Sequence, residues 1–403
     1  MNEQALNAQA LKDDRQDELT WAVEGRRSEL DLTGLEPEAL DRAMMRRCLA
    51  LARQAWGRTA PNPLVGAVVL QGRNIVGEGF HPKAGMPHAE VYALKDAGEL
   101  AKGATIYVSL EPCNHHGRTP PCSQGLVDAG VGRAIVGMVD PNPKVAGGGI
   151  KRLENAGIPV TVGVEEGACQ ALNEPFVHRI RHGRPFGVLK YAMTLDGKIG
   201  TTSGNSAWIT DTPARSHVHH LRAGCDAIIV GSNTVRRDNP YLTSHSPSAH
   251  NPLRVAMSRQ LNLPKTTESG DSLHLWDTTL ADTTVLTQTG ANPDLQAWLR
   301  DQGVTVVELD AVTPNAAMAY LGESGALSVL WECGGTLAAR AIAQGAVQKI
   351  LAFIAPKIVG GTTAPVPVGD LGITTMTKAL TLDRMGIQQI GTDWMITGYL
   401  PTV

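Results

Sequence analysis

Two cysteines close the segment EPCNHHGRTPPC, residues 111–122, and a histidine, His88, stands upstream in GMPHAEVYALKDAG. One imidazole and two thiolates suit a tetrahedral zinc whose fourth position is left open, and an open position marks a catalytic rather than a structural ion. Zinc lowers the pKa of a bound water toward neutrality. Glu90 follows His88 by two residues in the same first helical turn, where it can sit over that water without ligating the ion. From there it can move protons between an attacking hydroxide and a leaving amine. His88, Cys113 and Cys122 are therefore the candidate ligands and Glu90 the candidate acid/base. The loop between the cysteines is expected to lead into a helix, where positive potential favours the thiolate form. Taken singly these residues say little, since a His-x-Glu is usually a helix start and a lone cysteine a small buried hydrophobe. The metal reading rests on their combination with Pro112. A structural zinc is the alternative, and it needs a fourth protein donor, for which His115 or His116 is available.

Elements of two α/β domains must position these residues. The chain has 403 residues, 42% apolar and 19% charged, which is long for one core and excludes a fibrous or disordered protein. Residues 1–36 are polar without an apolar stripe and read as an extension. Leu40, Met44, Cys48, Leu51 and Ala55 then recur at helical spacing. Two short β-rich runs in LVGAVVLQGRNIVGEGF follow, then a helix from His88 to about Lys102 and the strand TIYVSLE. After Cys122 come a helix, the strand RAIVGMVD, a helix near Ile150–Ala156 and the strand PVTVGV. Such alternation means a sheet with helices on its faces. The basic segment FVHRIRHGRP marks a boundary, giving domains of 37–180 and 181–403. The second contains the runs PFGVLKYAMTLDG, DAIIVGSNTV, LRVAMS, TTVLTQ, VTVVEL, LSVLWECGG and KILAFIAPKIVGG.

Six thinly spread cysteines and the absence of a secretory signal predict a reducing, cytoplasmic setting, with Cys48, Cys169, Cys225 and Cys333 structural. No apolar run is long enough for a membrane span. A net charge of −3 argues against a polyanion binder, so anionic substrates need local basic clusters. The glycines of ECGGTLAARA, after a strand and before a helix, are a weak phosphate-loop signal. Trp331 reads as core. His217, His219 and His220 share a helix, where a solvated or capping role is expected.

The general zinc deaminase signature is H-x-E followed by P-C-x-x-C. Here eight residues separate the cysteines instead of two. With APNPLVGAVV and GFHPKAGMPHAE upstream, this segment resembles the bifunctional riboflavin-biosynthesis deaminase/reductases. The resemblance implies an amino-terminal cytidine-deaminase-like three-layer domain and a carboxy-terminal dihydrofolate-reductase-like domain. The implied activities are zinc-dependent hydrolytic deamination of diaminohydroxyphosphoribosylaminopyrimidine and NADPH-dependent reduction of its ribosyl group to ribityl. The implied substrate contacts in the first domain are Asn62, His81, His115 and Arg118, with Asn62 suited to a pyrimidine's amide edge and Arg118 to phosphate. In the second domain they are Ser206, Arg222, Leu242 and Glu332, and Lys190, expected at the end of a strand, could approach the reacting sugar. The implied cofactor contacts are Met193, Trp208, Thr210, Thr234, Asp238 and the run Gly334, Gly335, Thr336, Leu337, Ala338, Ala339 and Arg340. Where the family motif LTxR carries an arginine for phosphate, this chain reads LTSH, which places His245 there and implies weaker or more pH-dependent binding.

The expected partner is a small phosphoribosyl pyrimidine, with no nucleic acid and no membrane. The apolar tail MITGYLPTV suits a homo-oligomer formed through the second domain. Two other readings stay open at this level. A deaminase of bases in single strands would need a basic groove and stacking aromatics, and only 4% of the residues are aromatic. A zinc-stabilised binding module would unfold on chelation.

Overall fold

The structure, a computed structural model, describes residues 32–114, 120–246 and 250–401. Two compact units divide between Gly183 and Arg184.

In the first unit, helix α1 (Pro37–Arg53) starts on a proline suited to a first turn and buries Met44, Met45, Cys48 and Leu49. Strands β1 (Gly66–Gln71), β2 (Asn74–Phe80), β3 (Thr105–Val108), β4 (Arg133–Val136) and β5 (Val160–Val162) form a sheet in the order β2-β1-β3-β4-β5. β1 pairs antiparallel with β2 and β3, and β3, β4 and β5 run parallel. Alternation along the strands supplies both faces. Val68, Leu70, Tyr107 and Ile135 pack toward α1 and α5 (Glu166–Leu172). Ala67, Val69, Ile106, Val108, Ala134 and Val136 pack toward α2 (Ala89–Ala97), α3 (Cys122–Asp128) and α4 (Gly148–Asn155). Helix–sheet–helix is thus the three-layer arrangement expected.

Two details differ from the sequence reading. Helix α2 is shorter than His88–Lys102, because Gly98 takes φ +55° and the chain tightens into a 3-10 turn over Gly98–Ala101. The polar extension rejoins the fold before residue 37: Leu32 is buried in the first core, Leu35 packs against it, and Arg73 donates to the carbonyls of both. The rest of the extension lies outside the described residues. The unit ends with α6 (Glu174–His182), which occupies most of FVHRIRHGRP and stops at Gly183, φ +70°.

The second unit holds a sheet in the order β10-β9-β8-β7-β11-β6-β12-β14-β13. Its strands are β6 (Phe186–Thr194), β7 (Ala227–Gly231), β8 (Leu253–Met257), β9 (Thr283–Gln288), β10 (Thr305–Leu309), β11 (Ser328–Trp331), β12 (Lys349–Ala355), β13 (Asp383–Ile390) and β14 (Asp393–Tyr399). Pairing is parallel from β10 to β12 and antiparallel at the β13–β14 end. Its helices are α7 (Thr212–Gly224), α8 (Ser232–Asp238), α9 (Pro293–Asp301), α10 (Pro314–Glu323) and α11 (Gly335–Ala343). The NTV of DAIIVGSNTV belongs to α8 and not to the strand, since β7 ends at Gly231. Trp331 is fully buried with its indole N–H on Ala346 O at 3.1 Å, and Cys48, Cys169, Cys225 and Cys333 are all buried free thiols.

One charge sits deep in this unit. Arg254 on β8 is fully buried and donates to the carbonyls of Ala281 (2.7 Å), His274 and Asp277 (both 2.8 Å), with longer bonds to Leu275 and Tyr241. Burial lowers its pKa only to about 10, so the cation persists at neutral pH and ties the segments around Tyr241 and His274 to the sheet.

Candidate active sites

His88 is the residue from which α2 departs, Glu90 lies in that helix's first turn, and Cys122 is the first residue of α3. Cys113 reaches them from the loop after β3. His88 Nδ1 lies 3.3 Å from Cys122 Sγ and 3.6 Å from Cys113 Sγ, and the three donor atoms all fall within 4.8 Å of one another. Zn–S and Zn–N bonds of about 2.3 and 2.1 Å at tetrahedral angles imply an N···S edge of about 3.6 Å, so the donor set fits the ion. Among the described residues no fourth donor joins the trio. Hydrogen bonds from Cys122 and His88 bring the Cys113 thiol down to about 4 despite burial, while the hydrogen bond that Cys122 gives to Cys113, and burial, hold the Cys122 proton more tightly. The pair therefore carries one negative charge readily, and a bound cation would favour loss of the second proton. Glu90 is only 3% exposed, and burial pushes its carboxyl up to about 7.

Two supports hold this trio. Glu111, buried at the end of the strand loop, accepts backbone N–H groups from Gly147 and Gly149 (both 2.9 Å), Asp140 (3.2 Å) and Ile150 (3.4 Å). At Gly149 a Cβ would stand 1.9 Å from Pro112 O, so only glycine lets the start of α4 close on the chain entering Cys113. The second support is His81, 2% exposed, whose Nδ1 faces Pro87 O at 3.0 Å and whose Nε2 faces Asn62 Nδ2 at 3.1 Å. The carbonyl can only accept, so Nδ1 carries the proton and Nε2 accepts from the amide. This fixes which way Asn62 presents its oxygen.

In the second unit a cleft of about 410 Å³ lies at the carboxyl ends of β7, β8 and β11, where parallel sheets usually bind ligands. Ser206, Thr234, Asp238, Gly334 and Arg340 line it, and α11 begins there with backbone N–H groups free for an anion. A Cβ on Gly335 would meet Val366 O at 2.4 Å, which keeps this turn glycine. Just past β11, Glu332 receives Arg222 Nε at 2.7 Å and Nη2 at 3.0 Å, with Lys190 Nζ at 3.5 Å. Burial opposes a charged Glu332, but Arg222 and Lys190 outweigh it and hold its carboxyl at about 2.

Comparison with known proteins decides the family. Residues 38–138 match the cytidine and deoxycytidylate deaminase zinc-binding region, and residues 185–396 match the RibD C-terminal domain. The riboflavin biosynthesis protein RibD of Synechocystis is 56% identical over 89% of this chain and 96% of its own length. The chain belongs to the RibD family. It is a bifunctional enzyme, a deaminase and a reductase of riboflavin biosynthesis. RibD of Aquifex aeolicus is 40% identical over 89% of this chain and 98% of its own. Among solved structures, Acinetobacter baumannii RibD superposes with a TM-score of 0.79 at 34% identity, covering 91% of this chain and 100% of that one. A Thermotoga maritima diaminohydroxyphosphoribosylaminopyrimidine deaminase/5-amino-6-(5-phosphoribosylamino)uracil reductase gives the same TM-score and coverage at 32% identity.

Within this RibD fold the sequence-derived residues separate by position. His88, Cys113, Cys122 and Glu90 come together, and so do Lys190, Arg222 and Glu332. Ser206, Thr234, Asp238, Gly334, Gly335, Thr336, Leu337 and Arg340 line the cleft, whereas Met193, Trp208, Thr210, Ala338 and Ala339 do not. Ala338 and Ala339 are buried in the helix, and Trp208 is 70% exposed under Arg215, 4.5 Å from its ring. The Leu242 side chain is core, which leaves only its backbone for a ligand. His115 and Arg118 lie outside the described residues. Of the three histidines on α7, His217 is partly buried with its ring 5.8 Å from that of Phe353, His219 is partly buried with its ring 4.3 Å from that of His245, and His220 is exposed. Sequence reasoning missed Arg237 and Arg259 in the cleft and Glu111 behind the ligand loop. Arg259 follows the end of β8 by two residues, so the rule that ligands bind beyond carboxyl strand ends was the available signal.

Proposed function

We propose that the first unit hydrolyses the ring amine of diaminohydroxyphosphoribosylaminopyrimidine and that the second reduces the resulting 5-amino-6-(5-phosphoribosylamino)uracil with NADPH. The observation that carries the first step is the three-donor group beside a buried carboxyl. His88, Cys113 and Cys122 would hold a zinc ion, which would supply Lewis acidity toward the attacking water. Glu90 takes the proton of the attacking water and returns it to the departing ammonia, a task suited to a carboxyl poised near neutrality. Asn62, oriented by His81, offers its amide to the pyrimidine edge. In the second unit Gly334, Gly335 and Arg340 receive the cofactor's phosphates, and NADPH supplies the hydride. Lys190, Arg222 and Glu332 hold the sugar phosphate end.

Purified protein given the diaminopyrimidine should release ammonia and then oxidise NADPH, and should contain zinc equimolar with the chain. Stripping the metal should abolish ammonia release yet spare NADPH oxidation when the uracil intermediate is supplied. Loss of both, or of neither, contradicts the assignment of one step to each unit.

We also propose a homo-oligomer formed through the β13–β14 end of the second sheet. Ile387 (68% exposed), Met385 and Trp394 on these strands and Met376 (87% exposed) before them are apolar and open, more than a monomer usually leaves at a sheet edge. No helix among the described residues is long and apolar enough to cross a membrane. Sedimentation of the intact protein should show a dimer or larger species, and Ile387→Lys should shift it toward monomer.

A further inference from the structure

Helix α4 carries none of the three donors, yet it is tied to the segments that bear both sulfurs. At its start Glu111 grips the Gly147, Gly149 and Ile150 amides, and Gly149 lies against Pro112 O. Arg152 stands three residues beyond Gly149, on the same face of the helix. Its Nη1 donates to Asn114 Oδ1 at 3.2 Å and its Nη2 to Gln124 Oε1. Asn114 follows Cys113 directly, and Gln124 is the second residue after Cys122 in α3. A guanidinium only donates, so both amides turn their oxygens toward it. Gln124 is kept that way round by its Nε2, which donates to Asp128 Oδ1 at 2.6 Å. Leu153, next to the arginine, is fully buried against the sheet and fixes the helix that carries it.

Direct ties between the two cysteine segments leave Asn114 incompletely held. Cys122 N donates to Cys113 Sγ at 3.3 Å, and Ser123 N to Cys113 O at 3.2 Å. The Ser123 hydroxyl lies 3.0 Å from both Cys113 O and Asn114 Oδ1, but its one proton serves a single acceptor at a time. Arg152 supplies the missing donor, and its planar fork keeps the two amide oxygens at a set spacing. Spacing matters at this place. Two sulfurs about 2.3 Å from one ion at a tetrahedral angle lie about 3.8 Å apart, so a drift of about 1 Å between the segments costs a metal–sulfur bond.

We propose that Arg152 is a positioning residue of the deaminase, clamping Asn114 to Gln124 so that Cys113 and Cys122 keep the separation the ion requires. This rests on the zinc reading above and adds to it a residue that acts through the neighbours of the ligands.

Zinc transfer from the loaded full chain to an excess of chelator should run about 10–100-fold faster in Arg152→Met than in the unmodified protein. Arg152→Lys keeps the charge without the fork and should fall between the two. Hydrogen exchange in the metal-free full chain reads the same clamp without the ion. The Cys122 and Ser123 amides, both bonded to Cys113, should exchange about tenfold faster in Arg152→Met. A residue that only stiffens α4 would lower the melting temperature and leave both readouts where they were. Unchanged amide exchange therefore overturns the proposal, and so does unchanged zinc transfer in protein that loads. If the Arg152→Met chain fails to fold, Gln124→Ala removes one arm at a half-buried position and decides instead. About threefold faster transfer and exchange are then expected, and unchanged rates overturn the clamp. If the unmodified protein takes up no zinc, it is the metal reading that fails, and amide exchange alone decides the role of Arg152.

Discussion

Replacing Glu90 by Gln is expected to lower the rate of ammonia release by about 10³–10⁴-fold while leaving the zinc content unchanged. The amide keeps the shape of the side chain but can neither accept nor return a proton. The buried place in the first turn of α2 leaves little room for bulk water to substitute for it. Because Glu90 is not one of the three donors, metal analysis of the variant separates a lost proton carrier from a lost ion. NADPH oxidation of supplied uracil intermediate should proceed at the normal rate. Retention of more than about a tenth of the deaminase rate would remove Glu90 from the chemistry.

Glu332→Ala carries the second large expectation, on stability and on the reductase together. The carboxylate lies between Arg222 and Lys190, with side chains 9%, 13% and 16% exposed respectively. Deleting it strands two cations away from water, a change that costs about 3–5 kcal/mol and about 10 °C in the melting of a unit of this size. Reductase activity should vanish. Glu332→Gln, which can still accept a hydrogen bond from Arg222, should lose less stability. The sign of the pH dependence follows from the depressed carboxyl. Its folded pKa of about 2 lies below the unfolded value, so the bridge contributes fully above about pH 5 and is lost as the pH falls toward 2. A melting temperature in the unmodified protein that declines as pH falls below about 5, with a shallower decline in Glu332→Gln, checks this.

The convergence of His88, Cys113 and Cys122 was legible because one imidazole, two sulfurs and a carboxyl two positions beyond the imidazole are a rare coincidence of residue types and spacing. The alternating pattern of apolar runs was equally informative for β1, β3, β4 and most of the second sheet, since strand periodicity is local. What stayed hidden depends on partners distant in the chain. Nothing near Glu111 announces that four amides from residues 140–150 will converge on it. Histidine at 219 reads as a polar helix face until the 239–245 segment folds back against it. Gly98 shows the complementary case: a glycine in a helical run reads as tolerable, and only the backbone reveals that it ends the helix.

The Glu111 clamp has a consequence for how such an enzyme can be redesigned. One sulfur is anchored from the strand side by the carboxylate and the Gly149 contact, and the other by its own helix. Both anchors are made by described residues on either side of positions 115–119. Libraries that recode residues 115–119 are therefore expected to vary specificity while the donor atoms of Cys113 and Cys122 stay beside His88, which zinc analysis of the variants checks.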